Sequence, residues 1–576
     1  MSTSNIAEMI VAMLHRAGVK RIYGIAGDSL NAVTEAVRKH GEIEWVHVRN
    51  EEVGAFAAGG EAHLTGSLVV CAGSCGPGNL HLVNGLYDCH RSRVPVLAIA
   101  AQIPSAEIGR GYFQETRPEQ LFRECSYYCE MISTSKQLPG VVETAIRVAI
   151  AKRGVSVLVL PGDVAGMAVD EMAAPSPALI LADPLVRPGD TELVRLAGLL
   201  DAAGRVTMLC GRGCADARPE MLQLAEVLKA PIVHALGGKE SVEWDNPYDV
   251  GMTGFIGFSS GYQAMNDCDM LLMLGTDFPY RQFYPNKATI AQVDLRPENL
   301  GRRCRLDFGL IGDVRATIEA LLPRLEPKRD RTHLDRSLAR YREARKGLDD
   351  LAVGRAGRKP MHPQFVAKTL SDMASDDAVF TFDVGTTTIW AARYFKMNGK
   401  RRLIGSLNHG SMANALPQAI GAQAAYPDRQ IISFSGDGGF AMLMGDLLTL
   451  TQKKLPVKIV VLNNGTLGFV ELEMKAAGML DVGVALENPD FAAVATAAGI
   501  FARRVEDPAD LPGALAAVLT HPGPALLDAV TARHELSLPP KIEIGQIAGF
   551  GLWTAKAVLN GQGNEVVELA RTALLR

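Results

Sequence analysis

Ile431-Ile432-Ser433-Phe434-Ser435-Gly436-Asp437-Gly438-Gly439 is the stretch on which the fold turns. An apolar run ends there in a glycine-rich turn that carries one carboxylate. A helical segment, Phe440 to Lys454, follows, and a second apolar run, Val457 to Leu462, ends in Asn463-Asn464. The order is strand, turn, helix, strand, asparagine pair. A right-handed βαβ crossover sets the ends of its two parallel strands side by side. Asp437 and Asn464 are then expected to face one crevice at the carboxyl edge of a sheet, where open α/β sheets bind ligands. One carboxylate, one amide and nearby backbone carbonyls form an oxygen-rich site of low charge. Mg2+ suits such a site, because it takes few protein ligands and completes its shell with waters and phosphate oxygens. The glycines let backbone N–H groups reach phosphate oxygens at a helix N-terminus. Taken singly, Asp-Gly is turn chemistry and Asn-Asn is loop chemistry. Both at the ends of paired strands, with 24 residues between Gly438 and Asn463, point to a ligand site.

The same rhythm extends in both directions. Strands are expected at Glu44–Val48, Leu68–Cys71, Val94–Ala100 and Val155–Leu160. After a connector with Pro175, Pro177, Pro184 and Pro188, further strands fall near Val206–Cys210, Pro231–Ala235, Met270–Gly275, Thr289–Asp294 and Gly309–Ile311. A second connector runs from Gly354 to Pro360. Strands alternating with helices predict an α/β protein of three doubly wound parallel-sheet domains. The expected bounds are 1–182, 183–336 and 337–530, with a C-terminal helical tail at 531–576.

Composition narrows the class. Of the 576 residues, 48% are hydrophobic and 21% charged, a globular balance. A net charge of −4 with no basic block argues against a nucleic-acid partner. No apolar run approaches the ~20 residues of a membrane-spanning helix. Ile6, Met9, Ile10, Met13 and Leu14 follow helical spacing, interrupted by Glu8, so no signal peptide is read and a cytoplasmic location is expected. Three of the cysteine pairs, Cys71/Cys75, Cys125/Cys129 and Cys210/Cys214, lack zinc-site spacing and read as buried thiols.

Other stretches carry polar groups at strand ends. Arg49-Asn50-Glu51-Glu52 opens a helix, with Asn50 as N-cap and Glu51 at its positive end. A glycine-rich turn, Gly73 to Asn79, follows the next strand, and Gly111-Tyr112-Phe113-Gln114-Glu115 lies beyond it. Further along come Asp383-Val384-Gly385-Thr386, the run Gly405 to Met412, and Gly465-Thr466-Leu467-Gly468-Phe469-Val470-Glu471-Leu472-Glu473. In the middle section, Gly211-Arg212-Gly213-Cys214 closes a strand, which alone is weak evidence of a nucleotide site. Thr253-Gly254-Phe255-Ile256, Thr276-Asp277-Phe278-Pro279-Tyr280 and Asp294 add to it.

Together these stretches resemble those of thiamine-diphosphate (ThDP) enzymes, and the resemblance spans essentially the whole chain. Within that family the chain is most similar to the acetate-forming, quinone-linked pyruvate oxidases of bacteria, on Cys71–Leu82, Gly109–Glu115, Gly251–Gly261, Asn398–Met412 and Gly549–Arg576. The resemblance implies a pyrimidine-binding, an FAD-binding and a diphosphate-binding domain, in that order. It implies that Glu51 hydrogen-bonds the aminopyrimidine of ThDP and promotes its ylide. Phe113 and Gln114 are placed against substrate, as are Phe469, Val470 and Glu473. ThDP contacts are implied for Val384, Gly385, Thr386, Gly410, Ser411, Met412, Gly438, Gly439, Gly465, Leu467, Gly468 and Phe469. Asp437, Asn464 and the Thr466 carbonyl are implied Mg2+ ligands. FAD contacts are implied for Gly211, Gly213, Thr253, Gly254, Phe255, Ile256, Thr276, Asp277, Phe278, Pro279, Tyr280 and Asp294. Asn50 stands where many relatives have histidine.

The implied reaction is oxidative decarboxylation of pyruvate to acetate and CO2 by way of hydroxyethyl-ThDP, with electrons passing through FAD to membrane ubiquinone. Three alternatives stay open: a non-redox carboligase or decarboxylase that keeps FAD structurally, a phosphate-dependent oxidase making acetyl phosphate, and a non-catalytic regulatory subunit. Intact Glu51, Asp437 and Asn464 argue against the last. Val566, Leu569, Ala570, Ala573 and Leu574 form an apolar helical stripe in the tail. In relatives the tail shields the site at rest and binds phospholipid when the enzyme is reduced. Here Ala573-Leu574 replaces a common tryptophan, and from residue 541 onward four basic residues (Lys541, Lys556, Arg571, Arg576) stand against three acidic ones (Glu543, Glu565, Glu568), so electrostatic membrane attraction is expected to be weak. The family's site lies between subunits, which implies a homo-oligomer, with a tetramer expected by analogy.

Overall fold

The computed structural model describes residues 4–169, 184–535 and 544–560, with a few single positions outside those spans. The first sheet contains β1 (Arg21–Gly24), β2 (Glu44–His47), β3 (Val69–Gly73), β4 (Val96–Gln102), β5 (Tyr128–Met131) and β6 (Val155–Pro161), in the order β2-β1-β3-β4-β6-β5. The second contains β7 (Val206–Cys210), β8 (Ile232–His234), β9 (Asp249–Met252), β10 (Met270–Leu274), β11 (Thr289–Asp294) and β12 (Phe308–Ile311), in the order β12-β11-β10-β7-β8-β9. The third contains β13 (Val379–Phe382), β14 (Arg402–Gly405), β15 (Ile431–Gly436), β16 (Lys458–Asn463), β17 (Phe501–Val505) and β18 (Ala525–Val530), in the order β14-β13-β15-β16-β18-β17. Paired strands run parallel in all three. The chain therefore has the three parallel α/β domains that its alternating pattern predicts.

The outer two sheets share one strand order, 2-1-3-4-6-5 within each domain. The middle sheet, read the same way, has the order 3-2-1-4-5-6 of dinucleotide-binding sheets. Its order reverses between β7 and β10, so the turns after those two strands flank a ligand crevice. Every residue of β4 and β6 is buried, which is why each reads as an unbroken apolar run. By contrast, β5 and β17 are sheet edges with half-exposed residues and give little apolar signal.

The helix expected from Phe440 to Lys454 is two helices. Asp437–Leu443 and Leu447–Lys453 are separated by a tight 3-10 turn, Met444–Asp446. Asp446 interrupts the run: its Oδ1 accepts from Thr449 Oγ1 at 2.6 Å and from Arg49 N at 2.9 Å. The break ties the third domain to the strand end that leads into Glu51. A second tie is the crossing of helices Glu51–Thr65 and Ala415–Ala425, which share one apolar core with the first and third sheets. Small residues allow it: a Cβ on Gly421 would sit 1.9 Å from the Ala57 carbonyl oxygen, and one on Gly60 would sit 2.7 Å from that of Gln418.

Candidate active site

The third sheet brings Asp437 and Asn464 together because β15 and β16 are neighbours, with Gly436 opposite Leu462. Asp437 is 2% exposed and well supplied with donors. Its Oδ2 accepts from Gly465 N at 2.7 Å, Asn488 Nδ2 at 2.8 Å and Asn464 N at 3.1 Å, and its Oδ1 accepts from Gly438 N at 2.8 Å. Burial pushes the carboxyl pKa up, while these donors pull it back. One arm of the Asn464 side-chain amide faces acceptors only: the Thr466 carbonyl at 2.9 Å and both Asp437 oxygens at 3.3 Å. An amide nitrogen satisfies them in the protein alone. With the amide oxygen turned in instead, a carboxylate, an amide and a carbonyl converge as a cation requires. The donor set therefore fits Mg2+.

From this crevice a cavity of about 1810 Å³ runs to the middle sheet. Val384, Gly385, Thr386, Gly410, Met412, Asp437, Gly438, Gly439, Asn464, Thr466, Leu467 and Gly468 line its near end. Gly465 donates to Asp437 from behind, and Ser411 accepts from Asn84 Nδ2 at 3.0 Å outside the cavity lining. Phe469, Val470 and Glu473 lie on the wall. At the far end are Gly211, Gly213, Thr253, Gly254, Phe255, Ile256, Thr276, Asp277, Phe278, Pro279, Tyr280 and Asp294.

That far end is the switch point between β7 and β10. Gly213 and Gly275 touch there: a Cβ on Gly213 would lie 2.7 Å from the Gly275 Cα, and Gly275 has φ +54°. The basic side chains Arg93, Arg302 and Arg303 converge on Asp277 Oδ2 at 3.9, 3.5 and 3.6 Å. Asp294 accepts from Arg296 N at 2.9 Å and Asn299 Nδ2 at 3.1 Å, and burial raises its pKa. Close backbone turns, guanidinium groups and a carboxylate at a strand end are the parts from which a dinucleotide site is built.

Glu51, Phe113 and Gln114 do not line this cavity. They lie on the first domain, where Glu51 and Gln114 both reach the glycine-rich turn Gly73 to Asn79. Asn50 Oδ1 accepts from Glu52 N at 2.9 Å and caps the helix that Glu51 opens. The buried Glu51 carboxylate meets His81 Nδ1 at 2.9 Å. Its Oε1 lies so close to the glycine-rich turn that a Cβ on Gly78 would stand 2.9 Å away. Gln114 reaches the same turn, with its Oε1 3.4 Å from Cys75 Sγ, while Phe113 is 77% exposed. His81 was not singled out by sequence, since only helix packing carries it to Glu51.

The tail contributes a wall. Helix Ile544–Leu559 lies on helix Gly468–Ala476, so closely that a Cβ on Gly549 would be 1.9 Å from the Ala476 carbonyl oxygen. Trp553 is 1% exposed, and Lys475 Nζ stands 4.8 Å from its ring centre. Lys475 also pairs with Glu471, whose carboxylate contacts His534 Nδ1 at 2.9 Å and Thr466 Oγ1 at 2.5 Å. Burial pushes the Glu471 pKa up, but hydrogen bonds from His534, Lys475 and Thr466 outweigh it and hold the group well below its ordinary value. Gln546 and Phe550 of the tail helix line the cavity. Of the expected tail stripe, Ala570, Ala573 and Leu574 lie outside the described residues. Among the described residues, no helix is long and apolar enough to cross a membrane.

The three domains and the crevice at the third sheet agree with the comparisons. The chain belongs to the thiamine pyrophosphate enzyme family: residues 4–121 match its N-terminal TPP binding domain, 193–321 its central domain and 383–529 its C-terminal TPP binding domain. An uncharacterized 42.6 kDa protein of Pseudomonas amyloderamosa is 66% identical over 61% of this chain and 89% of its own. A putative thiamine pyrophosphate-containing protein of Bacillus subtilis, YdaP, is 36% identical over 99% of both chains. A pyruvate oxidase of Lactiplantibacillus plantarum is 32% identical over 90% of this chain and 87% of its own. Acetolactate synthases match as well, at 28% to 30% identity.

Proposed function

We propose that this chain oxidises pyruvate to acetate and CO2 with ThDP, Mg2+ and FAD, and delivers the electrons to membrane ubiquinone. The balance is pyruvate plus water plus quinone giving acetate, CO2 and quinol. The observation that carries the reading is the single cavity joining the Asp437–Asn464 crevice to the dinucleotide-type switch point of the middle sheet. Phe469, Val470 and Glu473 stand along that cavity, where substrate would sit between two cofactors. ThDP, when bound, supplies the electron sink for decarboxylation. Asp437, Asn464 and the Thr466 carbonyl hold Mg2+, and the turns after β7 and β10 hold FAD. Glu51 shuttles the proton on the aminopyrimidine side, with Phe113 and Gln114 against substrate. By the family resemblance these three come from a second copy of the chain, which would make the protein a homo-oligomer, a tetramer by analogy; that the cavity with Asp437 is not lined by them supports this reading.

Anaerobic mixing with pyruvate in the presence of ThDP and Mg2+ is expected to bleach bound flavin, and a soluble quinone to restore its colour. Unbleached flavin with acetolactate or acetaldehyde accumulating would move the chain to the non-redox reading, which the acetolactate synthase relatives favour. Acetyl phosphate formed with phosphate and O2 would favour the third reading.

The C-terminal tail, whose helix Ile544–Leu559 walls the cavity, would also carry, through its stripe at 566–574, the peripheral membrane contact of an otherwise cytoplasmic enzyme. With pyruvate present, the protein is expected to float with phospholipid vesicles, and without pyruvate to stay in the aqueous fraction. Failure to float in both conditions would remove the membrane role.

A further inference from the structure

We infer that Asn488 is the positioning residue of the metal carboxylate, fixing Asp437 so that Oδ1 alone is left to meet the cation. The inference rests on the proposed metal role of Asp437 and adds a residue outside the motif that defines it. An ionised carboxylate offers about four lone-pair positions over its two oxygens. On Asp437, Oδ2 already takes three N–H donors: Asn464 N, Gly465 N and Asn488 Nδ2. With the Asn464 amide oxygen turned toward the cation, Oδ1 takes one, from Gly438 N, and keeps a lone pair. Oδ2 is saturated, so the cation is directed to Oδ1.

Two of the three Oδ2 donors are backbone groups of the metal loop, and the side-chain donor is held by its own chain of partners. Asn488 Nδ2 spends its second hydrogen on Asn463 Oδ1 at 3.0 Å. Both of its partners are acceptors, so the amide has one orientation. Asn463 Nδ2 in turn donates to Asp528 Oδ1 at 3.0 Å. Asp528 is fully buried and is held by Arg504 Nη1 at 2.6 Å and Phe491 N at 3.2 Å. The first asparagine of the pair thus orients Asn488, while the second faces the cation.

The backbone delivers Asn488 to this position from both sides. Leu467 N donates to the Val484 carbonyl and Leu486 N to the Gly465 carbonyl, each at 2.9 Å, so residues 484–486 run antiparallel to the metal loop. Just beyond, Asp490 caps helix Phe491–Ala497 through Ala493 N at 2.9 Å. Asn488 sits between these anchors.

Partners that orient a metal ligand usually matter about 10–100-fold in metal affinity. Asn488→Ala is therefore expected to weaken Mn2+ binding, followed by electron paramagnetic resonance with ThDP present, by about 10–100-fold. The KM for ThDP should rise, while kcat at saturating metal and ThDP recovers most of its value. Asn463→Ala, which frees the Asn488 amide to turn, should move metal affinity the same way by less, and it carries the test should Asn488→Ala fail to fold. Unchanged Mn2+ affinity in both variants, with only a lower melting temperature of the cofactor-free protein, would make Asn488 a structural residue and overturn the inference. A wild-type protein that takes up no Mn2+ with ThDP would instead overturn the proposed function, and this inference with it.

Discussion

Asp437→Ala is expected to abolish ThDP- and Mg2+-dependent turnover and, with it, the stabilisation that the cofactor pair confers. The substitution removes one of three protein oxygens converging on the cation site and its formal charge. It also leaves four N–H groups, those of Gly438, Asn464, Gly465 and Asn488, without their acceptor. Each unsatisfied buried donor costs about 1–3 kcal/mol where water cannot reach it, so the empty protein should also melt lower. The two effects separate by ligand. A ligand present at a hundred times its Kd stabilises the folded state by about 2.7 kcal/mol. Wild-type protein should therefore melt higher with ThDP and Mg2+ together, and the alanine variant should melt at one temperature with or without them. Asp437→Asn keeps the shape but not the charge. If it recovers the cofactor-induced shift, an amide oxygen serves in place of the carboxylate and the charge of Asp437 is not what holds the metal; cofactor-induced stabilisation that survives in Asp437→Ala as well would remove the metal role.

The crevice around Asp437 was readable in sequence because its signals are local. Apolar runs ending in Gly436-Asp437-Gly438 and in Asn463-Asn464 announce strand ends, and the connection between them forces the strands to be neighbours. The same logic places Gly211, Gly213 and Thr276 at the middle switch point, since each follows a buried strand. What was not readable depends on contacts between distant segments. Asn488 lies in a loop with no periodic pattern, and its partners are 51 and 25 residues away in sequence. His81 reaches Glu51 across 30 residues only because two helices pack. The break at Met444–Asp446 is hidden because Leu443, Met444, Leu447 and Leu448 keep an apolar pattern through it. In the tail, the sequence draws the eye to the stripe at 566–574, whereas the described contact with the cavity is made by Gln546 and Phe550, on a helix docked through the buried Trp553 and the close approach of Gly549 to Ala476.

Glu51→Gln is expected to lower kcat by about 10²–10⁴-fold, the usual range for removing a general acid–base group, while leaving cofactor binding largely intact. Glutamine preserves the size of the side chain beside Gly78 and can still meet His81, but it cannot exchange a proton at its terminal oxygen. On the proposed function the diphosphate and metal are held around Asp437, away from Glu51, so the cofactor-induced rise in melting temperature should survive. Exchange of the C2 proton of bound ThDP, followed by NMR, should slow in parallel with kcat. Normal exchange with a low kcat would give Glu51 a later role. The separation of Glu51 from Asp437 also allows a test of assembly. In one protomer Glu51 and Asp437 do not share a cavity, so a two-fold dimer would complete each site with one residue from each copy. A dimer of one Glu51→Gln protomer and one Asp437→Ala protomer then holds one intact site and one doubly broken site. Mixing the two inactive variants under conditions that exchange subunits should restore activity, and its absence despite proven exchange would mean that each site is built within a single chain.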